Sequence, residues 1–80
     1  MSKKQCRILA MNIIAMTTEM PEDHLRDYQI LSLLGIGQEE KTLIAESLEI
    51  ELHVEKIDFA LISNWETVGD VVGTAEELAA

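Results

Sequence analysis

Eighty residues with 15 acidic and six basic side chains carry a net charge of −9, and 48% of the chain is apolar. That length admits one domain, near the lower limit at which a core holds a fold without staples, and the apolar share sets a disordered chain aside. The charge excludes nucleic acid and bare anionic membrane as partners and favours basic protein surfaces.

The single cysteine, Cys6, can form no intramolecular disulfide and supplies no metal cluster, which points to a reducing compartment and a core-filling role. The first helix is expected from about Lys3 to Thr17, with Cys6, Leu9, Ala10, Ile13 and Met16 on one face at helical spacing. Ile8, Met11 and Ile14 lie off that face. A helix apolar around more than half its circumference either sits deep in the bundle or meets a partner. The run from Ile8 to Met16 follows Lys3, Lys4 and Arg7 as a signal peptide would. However, Asn12 interrupts it, a small-residue cleavage pattern is missing, and its removal would leave too little chain to fold. It is also too short to span a bilayer. The expectation is a cytoplasmic protein.

Pro21 ends any continuation of this helix. From Pro21 to Gly37 the chain reads as an ordered connector that feeds the core through Leu25, Tyr28, Ile30, Leu31, Leu33 and Leu34. Gly35 and Gly37 break the pattern, and a second helix is expected from Gln38 to His53, with Glu39 and Glu40 at the positive end of its dipole. A short turn of helix follows near Asp58 to Leu61, with Asp58 as N-cap and Phe59 and Ile62 as apolar anchors. Thr67 followed by Asp70 is a variant of the capping box and opens a last helix, whose core face is Val68, Val71, Val72, Ala75 and Leu78 or Ala79. Gly69 and Gly73 each lower its propensity by roughly 1 kcal/mol relative to alanine, so burial must hold it in place. Nothing alternates with period two for long enough to form a strand, and the predicted class is all-α.

The second helix is the informative one. On a helical wheel Ile44, Ala45, Leu48 and Leu52 form a core face with Lys41 at its edge. Nearly opposite runs a second stripe of Glu39, Leu43, Glu46 and Ile50. Large aliphatics among carboxylates suit a docking surface: basic residues of a partner steer toward Glu39, Glu46 and neighbouring Glu49, while Leu43 and Ile50 supply apolar contact. Two other readings stay open, incidental exposed aliphatics and a homodimer interface.

Read from Asp27, the segment DYQILSLLGIGQEEKTLIAESLEIEL resembles the acyl and peptidyl carrier protein family around its attachment site. Leu34-Gly35-Ile36 match the Leu-Gly-aliphatic element of that family, and Glu39 to Leu52 its amphipathic acidic helix. Glu66-Thr67-Val68-Gly69-Asp70-Val71-Val72 is similar to the Thr-Val-Gly-Asp segment that opens the family's last helix. Together these cover roughly the C-terminal two thirds. The resemblance implies a four-helix bundle with three longer helices, a short third one and a long first loop. It also implies partners among enzymes of fatty-acid, polyketide or related carrier-dependent biosynthesis, bearing basic patches.

One departure from the family's pattern redirects the functional expectation. Where the family has Asp-Ser-Leu, with the serine carrying phosphopantetheine, this chain has Gly37-Gln38-Glu39. A carboxamide has no hydroxyl to form the phosphodiester. Ser32, Thr42 and Ser47 lie away from the helix entrance where a transferase would present coenzyme A. The expectation is a docking or regulatory module with no phosphopantetheine or other cofactor. The alternatives are a working carrier with an unusual attachment residue or a replaced serine, and an unrelated acidic helical adaptor.

Other chemistry is unsupported by spacing. His24 and His53 have no second metal ligand at suitable separation, and the calcium loop with its central glycine is absent. Cys6, Ser32, Ser47, His24 and His53 assemble no nucleophile–base pair, so no enzyme and no metal site are expected. Trp65 reads as an inter-helix packing residue. Ile44, Leu48, Leu52, Phe59 and Ile62 would line an interior cavity, against which stands the usual tight packing of protein interiors.

Overall fold

A computed structural model describes residues 2–78 as four α-helices: α1 (Lys3–Thr18), α2 (Gln38–Leu52), α3 (Phe59–Ser63) and α4 (Val68–Leu78). Two single turns of 3-10 helix, Glu22–His24 and Leu31–Leu34, lie in the long connector between α1 and α2. No strand is present among the described residues, and none of their helices is long and apolar enough to cross a membrane. The α1 helix packs chiefly against α4 and then α2, while α3 leans on α2.

The ends of the helices follow from local chemistry. Ser2 caps α1: its Oγ accepts from the Gln5 amide at 3.2 Å, and Gln5 Oε1 accepts from the Ser2 amide at 2.9 Å. Glu19 closes the helix in the left-handed region at φ 59°, two residues before Pro21. Asp58 caps α3 as expected, its carboxylate accepting from the Ala60 amide at 2.8 Å. At the head of α4 the Thr67–Asp70 box forms. Asp70 Oδ2 accepts from the amides of Glu66 (2.8 Å) and Thr67 (3.0 Å), and Thr67 Oγ1 accepts from the Asp70 amide at 3.2 Å.

Buried Cys6, Ala10 and Ile14 from α1, Ile44, Ala45 and Leu48 from α2, Ile62 from α3, and Val68, Val71, Val72 and Ala75 from α4 form one core, closed by Leu25, Leu31, Ile36, Ile57 and Trp65 from the connecting segments. Trp65 is an internal packing residue whose Nε1–H donates to Thr74 Oγ1 at 2.8 Å. Thr74 Oγ1 donates its own hydrogen to the Asp70 carbonyl at 3.1 Å, so the buried hydroxyl is satisfied on both sides.

Several expected core positions face solvent instead. In α1 the buried line is Cys6, Ala10 and Ile14, a strict i, i+4 row, so Ile14 lies inside while Leu9 and Ile13 are half-buried and Met16 is 79% exposed. Small residues at 6 and 10 let α1 approach its neighbours closely along that row, and this rotates the larger side chains outward. In the connector Leu25 and Leu31 are buried and Leu34 is half-buried, but Tyr28, Ile30 and Leu33 are exposed. The 3-10 turn at Leu31–Leu34 repeats every three residues, so only one side of it meets the core. Phe59 is 63% exposed and neither anchors α3 nor lines an interior space; Ile62 alone anchors that helix. In α4 the buried face is as expected with Thr74 added, Leu78 is half-buried, and Ala79 lies outside the described residues.

Candidate functional site

The α2 helix and the turn that leads into it are held by a backbone junction between the connector and the start of α4. Ile30 and Thr67 form an isolated antiparallel bridge. Around it the Leu31 amide donates to the Glu66 carbonyl at 2.9 Å, the Val68 amide to Gln29 at 3.0 Å, and the Gly69 amide to Asp27 at 2.8 Å. The two segments singled out in the sequence, 27–36 and 66–72, are therefore joined in space.

Gly35 then turns the chain in the left-handed region at φ 82°, which a side chain would strain. Ile36, its amide donating to the Leu31 carbonyl at 3.0 Å, buries its side chain and fixes where α2 begins. Gly37 is the N-cap and has no side chain to offer. Glu40 reaches back to accept from the Gly37 amide at 2.7 Å, so half of a capping box is present. Gln38 is the first residue of α2 and is exposed at its entrance.

From Gln38 the helix presents the two faces read from the wheel. Ile44, Ala45 and Leu48 are fully buried, and Leu52 is half-buried. On the other side Glu39, Leu43, Glu46 and Ile50 are all exposed, Leu43 at 53% and Ile50 at 71%. Glu49 departs from this group. It is half-buried, and its Oε2 accepts from the Ile57 amide at 2.6 Å, tying the segment before α3 to α2. Lys41, the one cation of α2, donates from Nζ to the Ser63 carbonyl at 3.3 Å and so faces α3. Glu39 and Glu46 consequently have no lysine or arginine of their own helix beside them on the exposed face.

The other reactive residue types are dispersed. Ser32 is exposed in the 3-10 turn, Thr42 donates from Oγ1 to the Gln38 carbonyl at 3.0 Å, and Ser47 is half-buried facing α1. His53 closes α2 in the left-handed conformation, and His24 ends the first 3-10 turn. Among the described residues no group of three or more His, Cys, Asp or Glu is placed to hold a metal ion.

The helical wheel of α2 did not reveal that Ile50 has company. Leu9, Ile13 and Met16 of α1 lie across from Ser47, Ile50 and Glu51 of α2, and together they line an open groove of about 280 Å³. The surplus of apolar residues on α1 signalled such a surface. Its location depended on how α1 is rotated.

No protein-family model matches the chain, and no curated protein or solved structure is similar to it.

Proposed function

We propose that this domain is an acyl-carrier-protein-like docking or regulatory module for enzymes of fatty-acid, polyketide or related carrier-dependent biosynthesis, without a phosphopantetheine arm of its own. The observation that carries the reading is the exposed Glu39–Leu43–Glu46–Ile50 face that begins one residue after Gln38. The order of elements, a long helix, a long connector, a long helix, a short one and a last long one, agrees with what the resemblance implies.

Physically, the surplus of carboxylates steers a basic surface toward α2 from a distance, and the aliphatics add contact energy once water is excluded. Gln38 occupies the helix entrance with a side chain that cannot be loaded. Binding would thus present the partner with a carrier's surface and no cargo, which suits competition with a loaded carrier or control of the enzyme.

The test has two parts. Binding to basic-patched enzymes of fatty-acid synthesis should weaken as salt is raised, and Glu46→Lys or Leu43→Ala should weaken it while helicity and melting stay unchanged; unchanged binding in both variants counts against the reading. Intact-mass measurement after incubation with coenzyme A and a broad-specificity phosphopantetheinyl transferase should show no adduct. An adduct would make the domain a working carrier.

A further inference from the structure

The groove between α1 and α2 has two unlike walls, and their difference specifies what fits between them. From Ile8 to Thr18 the α1 helix contains no charged residue. Its wall of Leu9, Ile13 and Met16 is neutral and apolar, with Met16 almost fully open to solvent. The α2 wall has Ile50 at its centre and Ser47 and Glu51 beside it, with Glu46 one turn before Ile50 on the same side of the helix. Neither wall contributes a cation. Lys41 faces α3, and the Arg7 guanidinium is engaged by the Asp27 carboxylate.

We infer that this groove binds an amphipathic helix of a partner protein, its aliphatic stripe seated between Met16 and Ile50 and lysines or arginines on the flank that faces α2. The inference rests on the docking reading above and extends it, since α1 becomes half of the site and the partner acquires a shape and a one-sided charge pattern. A two-turn apolar wall from Leu9 to Met16 is about 10 Å long, matched by the stripe of a short helix. A second copy of this chain is the poorer occupant: each copy carries a charge of −9, and none of the cations of the α1 or α2 helices lies along the groove beyond the first two turns of α1. Glu51 lines the α2 wall and Glu46 stands one turn before Ile50, so a helix with cations on one flank gains most with that flank toward α2.

The experiment uses the full chain and two synthetic helical peptides of about four turns sharing one leucine stripe. One has lysines along a single flank, and the other has glutamates in place of the lysines. Affinity is read by fluorescence anisotropy, and the protein's oligomeric state by sedimentation. The lysine peptide should bind, and the glutamate peptide at least tenfold more weakly. Met16→Ser and Ile50→Ser should each weaken binding by roughly tenfold, as expected when an aliphatic side chain is truncated at an interface. Leu33→Ser, an equally exposed leucine outside the groove, should leave it unchanged.

Equal binding of the glutamate peptide, or no binding of the lysine peptide, would overturn the inference. So would a homodimer abolished by Met16→Ser, because the groove would then be covered by a second copy. Loss of binding in Ile50→Ser and Glu46→Lys but not in Met16→Ser would remove α1 from the site and overturn this inference while leaving the acidic-face reading standing. Unchanged enzyme binding in Glu46→Lys and Leu43→Ala would defeat the earlier reading separately.

Discussion

The amide of Gly69 donates to the carbonyl oxygen of Asp27 at 2.8 Å, and a Cβ placed on Gly69 would lie 3.1 Å from that same oxygen. The hydrogen bond that docks α4 on the connector therefore brings the Asp27 carbonyl so close that a side chain at 69 would push it back by a few tenths of an ångström. Asp27 is at the same time ion-paired through its carboxylate to Arg7, so one residue joins α1, the connector and the start of α4.

The two glycines of α4 should consequently respond in opposite ways to alanine. Gly73 has no atom within 4 Å of a built Cβ and no unusual φ, so Gly73→Ala should stabilise by about 0.5–1 kcal/mol through helix propensity and a less flexible unfolded chain. A shift of this size raises Tm by about 4–8 °C per kcal/mol in a domain this small. Gly69→Ala should lower Tm, because the crowding atom is backbone oxygen and can yield only by stretching the hydrogen bond. Thermal unfolding followed by circular dichroism checks both, and equal shifts of the same sign would refute the assignment.

Removing the hydroxyl of Thr74 should leave the indole N–H of Trp65 without a partner in the core. Thr74→Val keeps the shape and should destabilise by about 1–3 kcal/mol, whereas Thr74→Ser keeps the acceptor and should lose less. Urea unfolding monitored by fluorescence of the single tryptophan distinguishes them.

Two aspartates make stability sensitive to acid. The hydrogen-bonded Arg7 guanidinium holds the Asp27 carboxyl below the ordinary value of 3.8, and the backbone N–H of Glu66, then that of Thr67, does the same for Asp70. A carboxylate whose pKa is depressed in the folded state contributes stability in full above its unfolded value, and that contribution is lost as pH falls below it through the folded value. Other carboxylates and the relief of net charge change the absolute curve, so the difference between parent and variant is the quantity to follow. Asp70→Ala should cost about 1 kcal/mol near neutral pH, as loss of a helix cap does. That difference should stay constant from pH 7 to about 5 and shrink below about 4. A difference that persists undiminished at pH 2 would rule the linkage out.

Glu46 and Glu49 should part company in stability. Glu46 is exposed and its side chain hydrogen-bonds to nothing among the described residues, so Glu46→Ala should change stability by no more than about 0.5 kcal/mol. Glu49→Ala removes the acceptor of the Ile57 amide and should cost about 1–3 kcal/mol. Any loss of partner binding in a Glu49 variant must therefore be corrected for unfolding, and paired urea melts supply the correction.

Local rules in the sequence determined the all-α class, the extent of α2 to within one residue, the Asp58 cap, the Thr67–Asp70 box and the two faces of α2. Each depends on a repeat or a cap that spans only a few residues. Tertiary structure decided the rest. Small Cys6 and Ala10 drew α1 in along a row that buries Ile14 and turns Met16 outward, although a sequence pattern apolar on most sides admits several rotations. The 3-10 turn exposed Leu33, because a three-residue repeat sets only one edge of the turn against the core. Gly69 and Gly73 look alike in the sequence, and only the approach of Asp27 separates them. The groove beside Ile50 exists because two helices far apart in the chain pack side by side, a relation that no local pattern on either one contains.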